Sequence, residues 1–133
     1  MNKVILSGNL GKDPRPFQFS NGGTKASFQL AVDRAYRDKQ GNLQKRTEWP
    51  TVVLYGKNAQ AALDYLKQGR RVEIEGRLQT RSYDKNGQRH FVTEVVAERM
   101  NFVPGGNGNG KANETPGDKT HAHEAEFVPD EEF

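Results

Sequence analysis

The chain has 133 residues, enough for one domain with a core of ordinary size, and no cysteine, which excludes disulfides, thiolate metal sites and cysteine nucleophiles. Its net charge of +3 conceals a split: residues 1–103 hold 18 Lys and Arg against 10 Asp and Glu, while residues 104–133 hold 2 against 7. A body at +8 suits a polyanion, and a segment at −5 suits a second partner of the other sign. The apolar run Val4-Ile5-Leu6 is too short for a signal-peptide core, and no apolar stretch approaches the ~20 residues that span a bilayer. These features lead us to expect a soluble, cytoplasmic protein with no membrane partner.

Residues 3–10 read as an opening strand that meets Gly11, and Asn21-Gly22-Gly23 is a turn signal. From residue 26 to 32 Ala26, Phe28, Leu30 and Val32 alternate with Ser27 and Gln29, the pattern of a half-buried strand. Gln40-Gly41-Asn42 falls in a polar, charged loop. The next strand is expected over residues 49–55, ended by Gly56. Asn58 is placed to cap a helix to about Gln68, because Ala59, Ala62, Leu63 and Leu66 form one apolar stripe. Gly69 is its expected stop.

Val72, Ile74 and Leu78 then alternate with Glu73, Glu75 and Arg77, and Gly76 takes a core-facing slot where a bulge or bend is expected. Asn86-Gly87 is a strong hairpin signal that joins this strand to residues 91–102. The order is strands, one helix, two more strands. It predicts an all-β fold with one helix: a five-stranded Greek-key barrel with the helix between strands 3 and 4, the OB-fold. An SH3-like barrel or an open α+β sheet has similar content. Residues 104–126 form a Gly/Asn-rich, polar linker expected to be flexible, followed by an acidic tip at residues 127–133.

Strand parity sorts the aromatics. Val52 and Leu54 suit the core, leaving Trp49, Thr51, Val53 and Tyr55 on the other face; likewise Arg77, Arg81 and Tyr83 oppose Val72, Ile74 and Leu78. Aromatics beside guanidinium groups suit unpaired nucleic acid, since every base has a π-face and Arg neutralises phosphate. Tyr36 continues the core-side parity of Phe28, Leu30 and Val32, so a twist or bulge past Arg34 is needed to release it. Of the many spread basic residues, Arg34, Arg37, Arg77 and Arg81 lie nearest the aromatics. The bland alternatives are that the aromatics are core or cover a subunit interface, and that the charges are solvated surface.

Catalytic signals are weak. His121-x-His123 lies in the expected linker with no cysteine to support a metal, His90 reads as a surface or groove residue of the last hairpin, and Glu73 with Glu75 fit a solvated strand face. No GxSxG, Walker or zinc motif is present, so we expect neither enzyme activity nor a metal or cofactor.

A set of motifs then stands out in order: Asn2-Lys3-Val4-Ile5-Leu6, Gly8-Asn9-Leu10-Gly11, Asp13-Pro14, Asn21-Gly22-Gly23, Thr47-Glu48-Trp49 and Val52-Val53-Leu54-Tyr55-Gly56-Lys57. They continue as Tyr65-Leu66-Lys67-Gln68-Gly69, Glu73-Ile74-Glu75-Gly76-Arg77-Leu78, Thr80-Arg81 and Thr93-Glu94-Val95. Together, from Asn2 to about Phe102, they resemble the bacterial single-stranded DNA-binding protein family. The resemblance implies an OB-fold homotetramer, associated with the nucleoid, that wraps and protects single-stranded DNA without sequence preference during replication, recombination and repair. It implies base stacking at Tyr36, Trp49, Tyr55 and Tyr83. It also implies that Asp130, Glu131, Glu132 and Phe133 form a tip that recruits replication and repair proteins, the aromatic entering an apolar pocket while the acids meet Arg or Lys. Two features depart from the family: Pro50 stands where a familiar member has a His at subunit contacts, and Pro129 precedes the acids of the tip instead of following them. Two other readings compete. One is a primosome-type OB-fold dimer that organises other proteins; the other is a small nuclease or hydrolase on the same scaffold.

Overall fold

A computed structural model describes residues 1–103. It contains β1 (Val4–Leu10), β2 (Arg15–Gln18), β3 (Thr24–Arg37), β4 (Leu43–Glu48), β5 (Thr51–Tyr55), α1 (Gly56–Tyr65), β6 (Arg71–Lys85) and β7 (Gln88–Phe102). Five strands close a ring: β1 pairs β6, β6 pairs β7, β7 runs parallel to β5, β5 pairs β3, and β3 returns to β1 through Asn9↔Ala31 and Leu10↔Leu30. The helix follows the third ring strand and precedes the fourth, as expected for an OB-fold. β2 and β4 were not expected; they add to opposite ends of β3.

The period-2 apolar residues fill the ring. Phe28 and Leu30 from β3, Val52 and Leu54 from β5, Val72 and Ile74 from β6, and Val95 from β7 are buried together. Each such side chain contributes on the order of 2 kcal/mol by leaving water. The apolar stripe of α1 and its exit supplies Ala59, Ala62 and Leu66, all buried in the same cluster, with Leu63 packed against it.

The helix ends differ from expectation. Tyr55 is the N-cap residue and makes no side-chain cap bond, so Asn58 lies inside the helix and its Nδ2 donates instead to the Glu98 carbonyl at 3.3 Å. The last helical residue is Tyr65, and the Leu66 amide closes the turn on the Ala62 carbonyl at 2.9 Å. Gly69 then adopts φ +87 and its amide donates to the Leu10 carbonyl at 2.8 Å, which ties the helix exit to β1. The strand expected over residues 49–55 starts two residues later, as β5 at Thr51, and Trp49 and Pro50 join it to β4. Pro50, which has no N–H for a ladder, instead accepts from the Leu30 amide at 3.0 Å.

Two strand pairs outrun the ring. β3 continues past Val32 and pairs only with β4, from Val32↔Glu48 to Arg37↔Leu43. β6 and β7 continue past Leu78↔Val95 as a second ribbon, beyond the last pairing of β1 at Val4↔Gly76. Asn86 and Gly87, at φ 54 and 78, make the two-residue turn that closes this ribbon. The expected irregularity at Gly76 is present as a register shift between Glu75 and Gly76. A Cβ on Gly76 would overlap the Val96 carbonyl oxygen, so the close strand approach requires glycine.

Leu78 corrects one expectation. It keeps the core-side parity of Val72 and Ile74 but is 49% exposed, because no layer faces it past the ring. The Asn2 side chain brackets its backbone, accepting from the Leu78 amide and donating to its carbonyl, both at 2.9 Å.

Candidate nucleic-acid interface

The two ribbons, the β4–β5 junction and the far end of β5 carry the residues singled out by parity. Tyr36 sits on the β3–β4 ribbon and is 42% exposed. Its release needs no bulge: β3 carries it past the barrel, where the core-side face has nothing to bury against. Arg34, two residues earlier, holds its guanidinium carbon 5.6 Å from the Tyr36 ring centroid, a cation–π contact that steadies an exposed ring. Arg37 is exposed, and its Nη1 donates to the Gly41 carbonyl at 2.9 Å across the turn of the same ribbon.

Trp49 lies half-buried at the junction of β4 and β5. Its ring is seated on Gly11: a Cβ there would come within 2.7 Å of Trp49 Cζ3. The glycine that ends β1 therefore makes room for the indole. Tyr55, at the end of β5, is 37% exposed and stacks on Phe19 with centroids 6.5 Å apart and planes at 21°. Phe19 in turn meets Phe17 edge-on at 4.9 Å. Sequence reading missed this pair. The alternation of Phe17 and Phe19 was the available signal, and Pro14 before the short strand and Pro16 within it obscured it.

On the β6–β7 ribbon Arg77 is half-buried; its Nη1 donates to Gln79 Oε1 at 2.9 Å and its Nε lies 3.9 Å from Glu98. Arg81 and Tyr83 share its parity, as expected, yet both are buried, at 6% and 7% exposure. Arg81 Nε donates to Glu94 Oε1 at 2.8 Å. Its charge is met locally by a carboxylate rather than presented to solvent, unlike that of Arg34 or Arg37. Tyr83 stacks on His90, centroids 5.3 Å apart and planes at 21°. The non-core face is thus not uniformly open: Lys25, Val53 and Val96 are buried on it as well.

Among the described residues no group of three or more His, Asp or Glu could hold a metal ion, and no helix is long and apolar enough to cross a membrane. His121, His123 and the tip residues Asp130, Glu131, Glu132 and Phe133 lie outside the described residues, as do the expected linker and tip boundaries.

A closed five-stranded barrel whose single helix lies between the third and fourth ring strands, extended by two strand ribbons, defines an OB-fold. Residues 1–103 match the model of the Single-strand binding protein family, and the chain belongs to that family. It is 46% identical over 105 residues to Single-stranded DNA-binding protein 1 of Chlorobaculum tepidum, covering 77% of this chain and 65% of that protein's length. It is also similar to the solved structure described as Plasmodium falciparum SSB complex with ssDNA, at 32% identity and a TM-score of 0.70, over 77% of this chain and 95% of that one.

Proposed function

We propose that the protein binds single-stranded DNA without sequence preference, shielding unpaired strands during replication, recombination and repair, and that it catalyses no reaction. The observation that carries this reading is the pair of open rings, Tyr36 at 42% and Tyr55 at 37% exposure, each held by a neighbour and set on a body of charge +8. Such rings accept any base, and the surrounding cations track any phosphate backbone, so neither element discriminates sequence. Tyr36, Trp49 and Tyr55 stack on bases in this reading, while Tyr83, the fourth ring expected to stack, is 7% exposed and packs on His90. Arg34, Arg37 and Arg77 meet phosphates, and Arg81 contributes by holding the ribbon through Glu94. The similar solved structure, a Plasmodium falciparum SSB complex with ssDNA, supports the choice of ligand.

The reading includes a homotetramer. β1 pairs β6 along its length but meets β3 only at Asn9 and Leu10, so its edge over Val4–Gly8 has one partner strand, and Ile5 there is 73% exposed. An open edge beside an exposed Ile favours pairing with a second copy. It also includes recruitment of replication and repair proteins by Asp130, Glu131, Glu132 and Phe133, supported by the −5 charge of residues 104–133.

Tryptophan fluorescence during titration with a long unpaired oligonucleotide, at low and high salt, tests the core of the proposal. The chain has one Trp, so quenching reports Trp49 alone. Unchanged emission together with no salt-sensitive association rejects DNA binding. Mass in solution tests the assembly: four copies support the tetramer and two or one reject it.

A further inference from the structure

The His90–Tyr83 stack was not part of the expected site. The two rings are directly opposite in the β6–β7 ladder, so the strand register brings them together. Their near-parallel planes, 21° apart at 5.3 Å, place the imidazole against the phenol. A base stacks by covering a whole ring face, and Tyr83, only 7% exposed, has no such face open. His90 is half-buried and forms the outer member of the pair. Arg81 and Glu94 lie on the same ribbon face, buried and paired with each other, so of the two rings on that face the imidazole is the less buried.

We propose that His90 is the ring that meets a nucleotide base on the β6–β7 ribbon, so that the column runs Tyr83, His90, base. Tyr83 is then a positioning residue: it sets the imidazole plane without touching the DNA. This rests on the proposed binding of single-stranded DNA, and it moves one of the four stacking contacts to a residue that sequence matching does not select.

The test uses the full chain and a short oligothymidylate. His90→Ala should weaken binding about five- to hundredfold, the loss of one stacked base, and His90→Phe should restore most of it. The carbon-bound imidazole protons of His90, assigned by their absence in the Phe variant, should shift upfield as the oligonucleotide is added. Thermal melting of both variants controls for folding. Trp49 quenching in the unsubstituted protein separates the two readings. If quenching occurs but His90→Ala binds within twofold of the unsubstituted protein, the His90 contact is overturned while DNA binding stands. Tighter binding by His90→Ala would mean that His90 covers Tyr83 and would also overturn it, as would equal weakening by Ala and Phe. Absence of quenching and association in the unsubstituted protein defeats the underlying function.

Discussion

Arg81 and Glu94 meet at 2.8 Å across the β6–β7 ribbon with their side chains 4% and 3% exposed. A pair this dry is costly to break, because removing one partner leaves the other charge buried without this counter-charge. Glu94→Ala should lower unfolding free energy by about 3–5 kcal/mol, read from denaturant melts. Replacing both residues with Leu should recover most of that loss, since no buried charge then remains there. If the double variant is no more stable than the single one, the pair has no such role.

The exposed rings lead to a second expectation. Tyr36→Ala and Tyr55→Ala should each weaken oligonucleotide binding by about 1–3 kcal/mol per stacked base, with little change in melting temperature because both rings lie largely outside the core. Equilibrium titrations at one salt concentration measure this. Affinity unchanged in both variants would remove them from the interface.

Salt dependence separates the arginines. Each phosphate met by a cation adds about −0.7 to the slope of log affinity against log salt for single strands. Arg34→Gln and Arg77→Gln should each flatten the slope by about that amount. Titrations across a range of salt concentrations give the slopes, and slopes that stay parallel to the unsubstituted protein's would assign these two cations to the surface only.

Gly11 should act as a spacer for the indole. Gly11→Ala places a methyl carbon 2.7 Å from Trp49 Cζ3, too close for the ring to stay where it is. The intrinsic Trp49 emission should change and its quenching by oligonucleotide should fall, read in one fluorescence titration. An unaltered spectrum would show that the ring is seated elsewhere.

The N-terminus contributes a pH-dependent contact. A hydrogen bond and ion pair from Lys3, assisted by Arg99, hold the Glu75 carboxyl below its ordinary 4.5. A lowered folded-state value means that the carboxylate form stabilises the fold: the contribution is present above pH ~4.5 and disappears as pH falls through the folded-state value. The stability difference between the unsubstituted protein and Glu75→Gln should therefore be constant near neutrality and shrink to nothing in acid. A difference that stays the same in acid as at neutrality would contradict the linkage.

Much of the barrel was legible because it depends on local rules. Alternation placed Phe28, Leu30, Val52, Leu54, Val72 and Ile74 inward, Asn86-Gly87 called the hairpin, and Gly76 marked the bulge. β2 and β4 were not legible. One proline precedes β2 and another lies within it, polar side chains fill β4, and each is held by backbone pairing to β3 that no side-chain pattern announces.

The sequence by itself determined the barrel's inward faces, the charge split and the family, since these follow from the order of side chains along the chain. Only the tertiary structure decided which candidate rings and charges are open. Tyr36 and Leu78 share parity with core residues yet stand exposed, because their strands extend past the ring. Arg81 and Tyr83 lie on the parity expected for binding yet are buried, one against Glu94 and the other under His90. Parity states which side of a strand a residue occupies; what faces that side is set by where neighbouring strands end, and that is a property of the closed barrel alone.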